Sequence, residues 1–431
     1  MWDKNSYYRI RIQSLLFKGK VLCYNIRINI MKKVHMKKED NNIIYLRPVV
    51  ELGNDNVTQV NLIKKNKKRI IVGVVVGLLC VIGVLVYMQL ETYTSVREIQ
   101  TFEGVSGANS NSDSFAKGIL RYGKDGATYM TYKGESIWNH PYEMNRPLLE
   151  KAGNSAAIAD GGGNKIVVFN TQGVKGEIET TLPIEKISVS QQGIVAVILK
   201  DQSTPKIVCY DAVGNILVEH KSSFTGTGYP IGIALSLDGQ TLLVTYLHVD
   251  GEKITTNYAY YNFAKEELGQ ENVAKKGSQP NVIIPEVRFI THDTSVMIGD
   301  EGIEFFKGKH SPENIASIII EDSIVQVFYG DGQVGLVLQK GNNNEREIRI
   351  YNEHGKVVFT EQINGIFTDI DIVNNQVVVY DKERSYIFNK YGMMKFHGEM
   401  KMELAGIYPV TGINKYVVIG NEGMKEVRLM R

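Results

Sequence analysis

The sequence predicts an all-β, eight-bladed β-propeller preceded by one transmembrane α-helix. Three observations carry that prediction. Residues 70–90 are 21 uncharged residues in a row, the chain beyond them falls into apolar runs of four to seven residues separated by Gly, Asp and Asn, and an aromatic marker returns about every 43 residues. With 43% hydrophobic and 22% charged residues in 431, the chain can fill a large core, which excludes a disordered protein. Its three cysteines, Cys23, Cys80 and Cys209, lie far apart and offer neither a disulfide framework nor a CxxC metal pair.

The first element is a basic head. Residues 1–69 hold 16 Lys+Arg against 5 Asp+Glu, whereas residues 70–431 hold 33 against 42. Head and body therefore suit different surroundings. Residues 1–36 are weakly patterned, and Met36 opens a run (MKKED) resembling an ordinary bacterial start. They read as a disordered upstream extension, with Met1 and Met31 as the other candidate starts. Residues 37–69 read as a basic cytoplasmic segment.

The second element, IIVGVVVGLLCVIGVLVYMQL over 70–90, has Gln89 as its only strongly polar side chain. A helix of this length is roughly 30 Å long, the thickness of the hydrocarbon core, and satisfies its own backbone groups in lipid. Lys64, Lys65, Lys67, Lys68 and Arg69 precede it and Glu91 follows it, so the N-terminus is expected inside and residues 91–431 outside the cell membrane. A cleaved signal peptide fits poorly, because the run is too long and no A-x-A site follows. Gly73 and Gly77 form a GxxxG spacing, which a Val/Gly-rich span produces easily by chance.

The third element is a repeat. Strand pairs recur over 119–132, 156–170, 195–211, 242–263, 295–308, 334–352, 377–389 and 416–430. The markers Tyr132, Phe169, Tyr210, Tyr261, Phe306, Tyr351 and Phe388 stand 37, 41, 51, 45, 45 and 37 residues apart, the period of a four-stranded blade. Eight units fit 96–431 somewhat better than seven. The last unit ends at Arg431 one strand short, and an open edge is a liability, so SVREIQTF (95–102) is expected to complete it. GVSGANSNSDS (104–114) then reads as a loop, and 263–276 as the only helix or long loop of the domain. The run ALSLDGQTLLVTY (234–246) looks like an S-x-D-G hairpin in which Asp and Gly close the turn between the first two strands of a blade.

The stretches at 123–147, 156–201 and 228–251, with the ending NEGMKEVRL (421–429), resemble an uncharacterised family of single-span, membrane-anchored propeller proteins of Gram-positive bacteria with WD40- and quinoprotein-like repeats. The likeness covers 70–431. It implies topology and fold and transfers no catalytic residue, since the family carries a domain-of-unknown-function label.

Candidate chemistry is sparse. DGGGN (160–164) is followed by a strand instead of the helix a phosphate loop needs. The histidines show no metal-ligand spacing, no G-x-S-x-G elbow occurs, and the carboxylate pairs Glu301/Glu304 and Glu321/Asp322 establish no glycosidase geometry. Gly134 to Trp138 resembles the G-x-x-x-W of quinoprotein blades, but such propellers dock a tryptophan in nearly every blade and this chain has two. No catalytic, cofactor or metal residue is assigned. In the fourth unit, Tyr258 and Tyr260 share one strand face and Tyr261 and Phe263 the other. One pair is expected in the core, and the other, beside an insertion over 264–280, is a candidate partner contact. The expectation is a non-enzymatic, membrane-tethered scaffold that binds another envelope protein, with an envelope-polysaccharide-binding or -cleaving enzyme as the alternative. Nucleic acid is disfavoured by the acidic body.

Overall fold

The structure, a computed structural model, describes residues 71–83, 91–102, 110–201, 205–222, 226–263, 273–309, 311–341, 345–365 and 367–431. The chain divides into two units, Met1–Val86 and Tyr87–Arg431. In the first, residues 71–83 form a helix whose apolar side chains, among them Val74 and Leu78, are exposed. Among the described residues no helix is long and apolar enough to cross a membrane. Ile70 and 84–90 of the expected span lie outside the described residues, as do Lys64, Lys65, Lys67, Lys68 and Arg69.

The second unit is eight four-stranded antiparallel sheets. Seven are meanders in chain order: blade 1 spans 111–141, blade 2 147–179, blade 3 184–221, blade 4 229–280, blade 5 286–319, blade 6 323–364 and blade 7 369–399. Blade 8 takes three strands from 404–430 and its outer strand from Ser95–Phe102, which pairs antiparallel with Gly423–Met430. The expected closure is thus the observed one. The residues just before it extend the seam: Tyr93 is buried, donates its amide to the Lys395 carbonyl (2.9 Å) and accepts from the His397 amide (3.1 Å), tying the entry segment to the outer strand of blade 7.

The apolar runs of the sequence are the second and third strands of the blades. Ser155–Asp160 and Val195–Leu199 are buried along their whole length, because a neighbouring blade covers each face. Outer strands such as Ser136–Pro141 and Ile216–Lys221 alternate between half-buried and exposed. Eight clusters of buried side chains each span two successive blades, the eighth joining Ile119 and Met130 of blade 1 to Tyr408 and Val417 of blade 8. Such a set closes a ring.

The aromatic markers have a structural meaning that spacing did not disclose. In blades 2 to 7, the pairing of third with fourth strand shifts register at the step into Phe169, Tyr210, Tyr261, Phe306, Tyr351 and Phe388. A bulge there adds twist to the outer hairpin, and a large buried ring fills the space it opens. The S-x-D-G hairpin is closed as expected: Ser236 donates to Asp238 (2.7 Å) and accepts from the Thr241 amide (2.9 Å), while Gly239 takes φ of +69°.

Two expectations are corrected. The segment read as a loop over 104–114 contains the start of Asn111–Phe115, the innermost strand of blade 1; its polar side chains suit a strand facing the channel. The insertion over 264–280, read as a rim loop or helix, contains Val273–Pro280, the outer strand of blade 4. An outer strand has one solvent edge and needs little apolar sequence, so VAKKGSQP carries no strand signal of its own.

Candidate functional site

The predicted aromatic cluster divides between two interfaces. Tyr258 and Tyr260 turn towards blade 5, with Tyr258 5.5 Å and Tyr260 5.7 Å from the Phe306 ring, and the Tyr260 hydroxyl meets Ser295 at 2.8 Å. Tyr261 and Phe263 turn towards blade 3. The alternation is as read, but both faces are covered: Tyr258, Tyr260 and Tyr261 are buried and Phe263 half-buried. Blades pack on both sides of a sheet, so these rings are interior groups rather than a free contact surface.

Tyr261 and Phe263 nevertheless border a cavity of about 140 Å³, walled by Ile207, Cys209, Val218 and Leu242 and edged by Glu219 and His220. The His220 and Tyr261 rings lie 5.2 Å apart, the Tyr261 hydroxyl is 3.4 Å from His220 Nε2, and it meets the Tyr246 hydroxyl at 2.9 Å. Burial pushes the Cys209 thiol up to about 12, so it stays protonated and is no nucleophile. Outside this cavity, Val213, Ile216 and Leu217 are 62%, 57% and 50% exposed. On blade 2, Val174 of the outer strand Gly173–Glu179 is also exposed.

The second concentration of polar side chains lies on the channel-facing strands. Arg288 of blade 5 reaches Glu150 of blade 2, three blades away around the ring, through contacts of 2.9 and 3.5 Å. Each of the two side chains is 28% exposed. Arg288 also lies over the Tyr329 ring at 4.8 Å, and the Tyr329 hydroxyl donates to Glu286 (2.9 Å). Lys186 of blade 3 donates to the Pro285 carbonyl (2.8 Å). These bonds brace a cavity of about 370 Å³. Burial raises the Glu150 carboxyl, which Arg288 only partly offsets; for Arg288, burial opposes the charge but Glu150 and Tyr329 outweigh it.

Blades 1 and 7 contribute acidic side chains. Asp113, Asp369 and Asp371 interact electrostatically, with Lys151 as their cation, bonded to the Asp113 carboxylate and to the Ser114 carbonyl (2.8 Å). The Tyr380 hydroxyl donates to Asp369 (3.2 Å). Burial, then the charges of Asp113 and Asp369, push Asp371 up to about 7. Among the described residues no group of three His, Cys, Asp or Glu side chains is arranged to hold a metal ion.

Of the remaining motifs, DGGGN (160–164) is a turn whose amides are engaged: Gly161 donates to the Arg146 carbonyl (2.8 Å) and Gly162 to that of Ile184 (2.7 Å). Trp138 stacks on Phe169 at 4.9 Å and donates to the Asn170 carbonyl (3.1 Å), a packing contact between blades 1 and 2.

Comparison with known proteins adds family and little more. A model of a family described as "Family of unknown function (DUF5711)" matches residues 89–429. No curated protein matches. Among solved structures the chain is similar to Saccharomyces cerevisiae Sqt1 (13% identity, covering 79% of this chain and 100% of that one, TM-score 0.48). It is also similar to Kluyveromyces lactis Hsv2 (10%, covering 67% and 97%, TM-score 0.43) and to BBS1N in complex with ARL6DN (9%, covering 80% and 98%, TM-score 0.39). The propeller assignment rests on this chain's own sheet order and closure.

Proposed function

The chain belongs to the DUF5711 family of unknown function, and from that premise we propose that it is a single-pass, membrane-tethered propeller of Gram-positive bacteria that acts as a non-enzymatic protein-interaction scaffold outside the cell membrane. The observation that carries the reading is the outer hairpin of blade 3, where the apolar side chains of Val213, Ile216 and Leu217 are each at least half exposed. Exposed apolar side chains gathered in one hairpin of a folded domain favour a partner surface. Two further features support the tether: the uncharged run over 70–90 with a basic cluster immediately before it and only the distant Arg97 after it, and the helical conformation of its described part, 71–83.

The test has two arms. Protease added to intact cells should remove the propeller and leave a small membrane-bound fragment; a propeller protected until lysis refutes the topology. In crosslinking on intact cells, one envelope protein should be captured in fixed proportion by the native chain and lost in Ile216→Lys and Leu217→Lys. Equal capture by the native and substituted chains refutes the patch.

A further inference from the structure

We infer that the seam between blades 7 and 8 is a lipid-contact site, where the turns 390–393 and 410–414 set Tyr391 and Ile413 into the headgroup region of the bilayer. The inference rests on the tether proposed above and goes beyond it, because it assigns which end of the propeller meets the membrane.

Strand order fixes the end. In a four-stranded meander the first and third turns lie at one end, and the second turn and the exit to the next blade at the other. Ser95 pairs opposite Met430, so the chain enters the propeller at the end of the first and third turns. The entry is pinned residue by residue. The Thr92 hydroxyl donates to the Met394 carbonyl (3.0 Å), the Thr94 amide to the Met430 carbonyl (3.2 Å) and the Ser95 hydroxyl to the Arg431 carbonyl (2.9 Å), while Glu91 accepts from the Tyr93 hydroxyl (2.8 Å) and from Arg431. The uncharged run ends at Leu90, one peptide bond before this pinned segment, so a span over 70–90 brings the seam to headgroup level.

Two turns flank the entry. Turn 390–393 of blade 7 leads into Met394 and Lys395, which hold Thr92 and Tyr93, and turn 410–414 of blade 8 holds the Leu429 amide through the Asn414 carbonyl (2.9 Å). Each carries one large apolar side chain in the open, Tyr391 at 63% and Ile413 at 65% exposure. The Asn389 carboxamide accepts from the Tyr391 and Met393 amides (2.9 and 3.1 Å), which fixes the turn with the ring outside. An amphipathic ring and an aliphatic neighbour suit the boundary between headgroups and acyl chains. Charge agrees with this placement. Lys390, 5.0 Å from the centre of the Tyr391 ring, is the only charged residue of the two turns, and one lysine beside an anionic lipid surface strengthens binding about fivefold. In the turns at the opposite end acid outnumbers base, with Asp300, Glu301, Glu321 and Asp322 on blade 5 alone, and an anionic surface repels that end. The exposed hairpin of blade 3 lies across the ring from blade 7 and is separate from this contact.

The experiment reconstitutes the full chain in vesicles of equal parts phosphatidylcholine and phosphatidylglycerol, and reads tryptophan emission against acyl chains brominated near the headgroup. Flotation after an alkaline carbonate wash comes first; a chain stripped from the vesicles refutes the tether, and the contact falls with it. In the retained chain, the emission that Tyr391→Trp or Ile413→Trp adds to that of Trp2 and Trp138 should shift to the blue and be quenched. Emission added by Ile319→Trp, 82% exposed at the opposite end of blade 5, should do neither. With the chain retained, quenching that is equal at the two ends, or absent from both turns, overturns the seam contact and leaves the tether standing. A blue shift that grows with protein density and without bromine quenching assigns the turns to a second copy of the chain, and also overturns lipid contact. Lys390→Glu in the Ile413→Trp chain should lower the quenching in these vesicles and leave it unchanged in pure phosphatidylcholine; an equal effect in both refutes the part given to charge.

Discussion

Arg288→Met tests the cross-channel brace directly. The substitution keeps an unbranched apolar stem and removes the guanidinium that holds Glu150 at 2.9 Å and covers the Tyr329 ring at 4.8 Å. Breaking a fully buried pair costs about 3 to 5 kcal/mol and an exposed one about 0 to 1. With both side chains 28% exposed, about 2 kcal/mol is the appropriate figure, and loss of the ring contact adds about 1 kcal/mol. Unfolding entropy near 2.1 cal/mol/K per residue over roughly 340 residues turns about 3 kcal/mol into a fall in Tm of about 4 °C.

The assay is scanning calorimetry of the full chain, Arg288→Met, Glu150→Gln and the double variant. The double variant should be more stable than Arg288→Met, because no carboxylate is then left without its cation. The pH dependence separates charge from packing. Burial already holds the Glu150 carboxyl above its ordinary range, and without Arg288 it rises further. A carboxyl bound more tightly to its proton in the folded state loses stability as pH rises through the window between its unfolded and folded values. The Arg288→Met deficit should therefore be smallest at acid pH, below the ordinary carboxylate range, where Glu150 is protonated in both states, and should grow as pH rises. A deficit independent of pH, or a strictly additive cycle, refutes the brace.

Three other outcomes are expected. Asp371 sits at about 7 among Asp113 and Asp369, so its ionisation weakens the folded state as pH climbs from about 4 to about 8; Asp371→Asn should stabilise the protein at about pH 8, by an amount bounded on the order of 4 kcal/mol, and do little at about pH 4, as denaturant titration at the two pH values will show. Tyr260→Phe removes the 2.8 Å bond to Ser295 at a fully buried site and should cost about 1 to 2 kcal/mol, or about 2 °C in Tm by calorimetry. Deleting 91–102 strips blade 8 of its outer strand and exposes the Gly423–Met430 edge; gel filtration should show oligomers or aggregate in place of a single compact species.

The repeat was readable in the chain because blade structure is local. A buried second or third strand needs a continuous apolar run, a hairpin needs Gly, Asp or Asn at set positions, and an aromatic marker recurs with the blade, so period and count follow from spacing. Ring closure by Ser95–Phe102 was readable for a related reason: a final unit with three strands leaves one edge, and one alternating segment remained to cover it. The outer strand Val273–Pro280 and the polar inner strand Asn111–Phe115 escaped notice, since strands at the rim or facing the channel need no apolar signature.

Strand alternation correctly separated Tyr258 and Tyr260 from Tyr261 and Phe263, yet only the packing of blades 3 and 5 on either side showed that both faces are interior. The cavity lies between residues of two blades, and Arg288 meets Glu150 across 138 positions of sequence. Periodicity along a chain records what each strand and turn requires of its immediate neighbours. Contacts across the ring depend on its radius, on side-chain reach and on which blades face one another, and those distances exist only once the ring has closed.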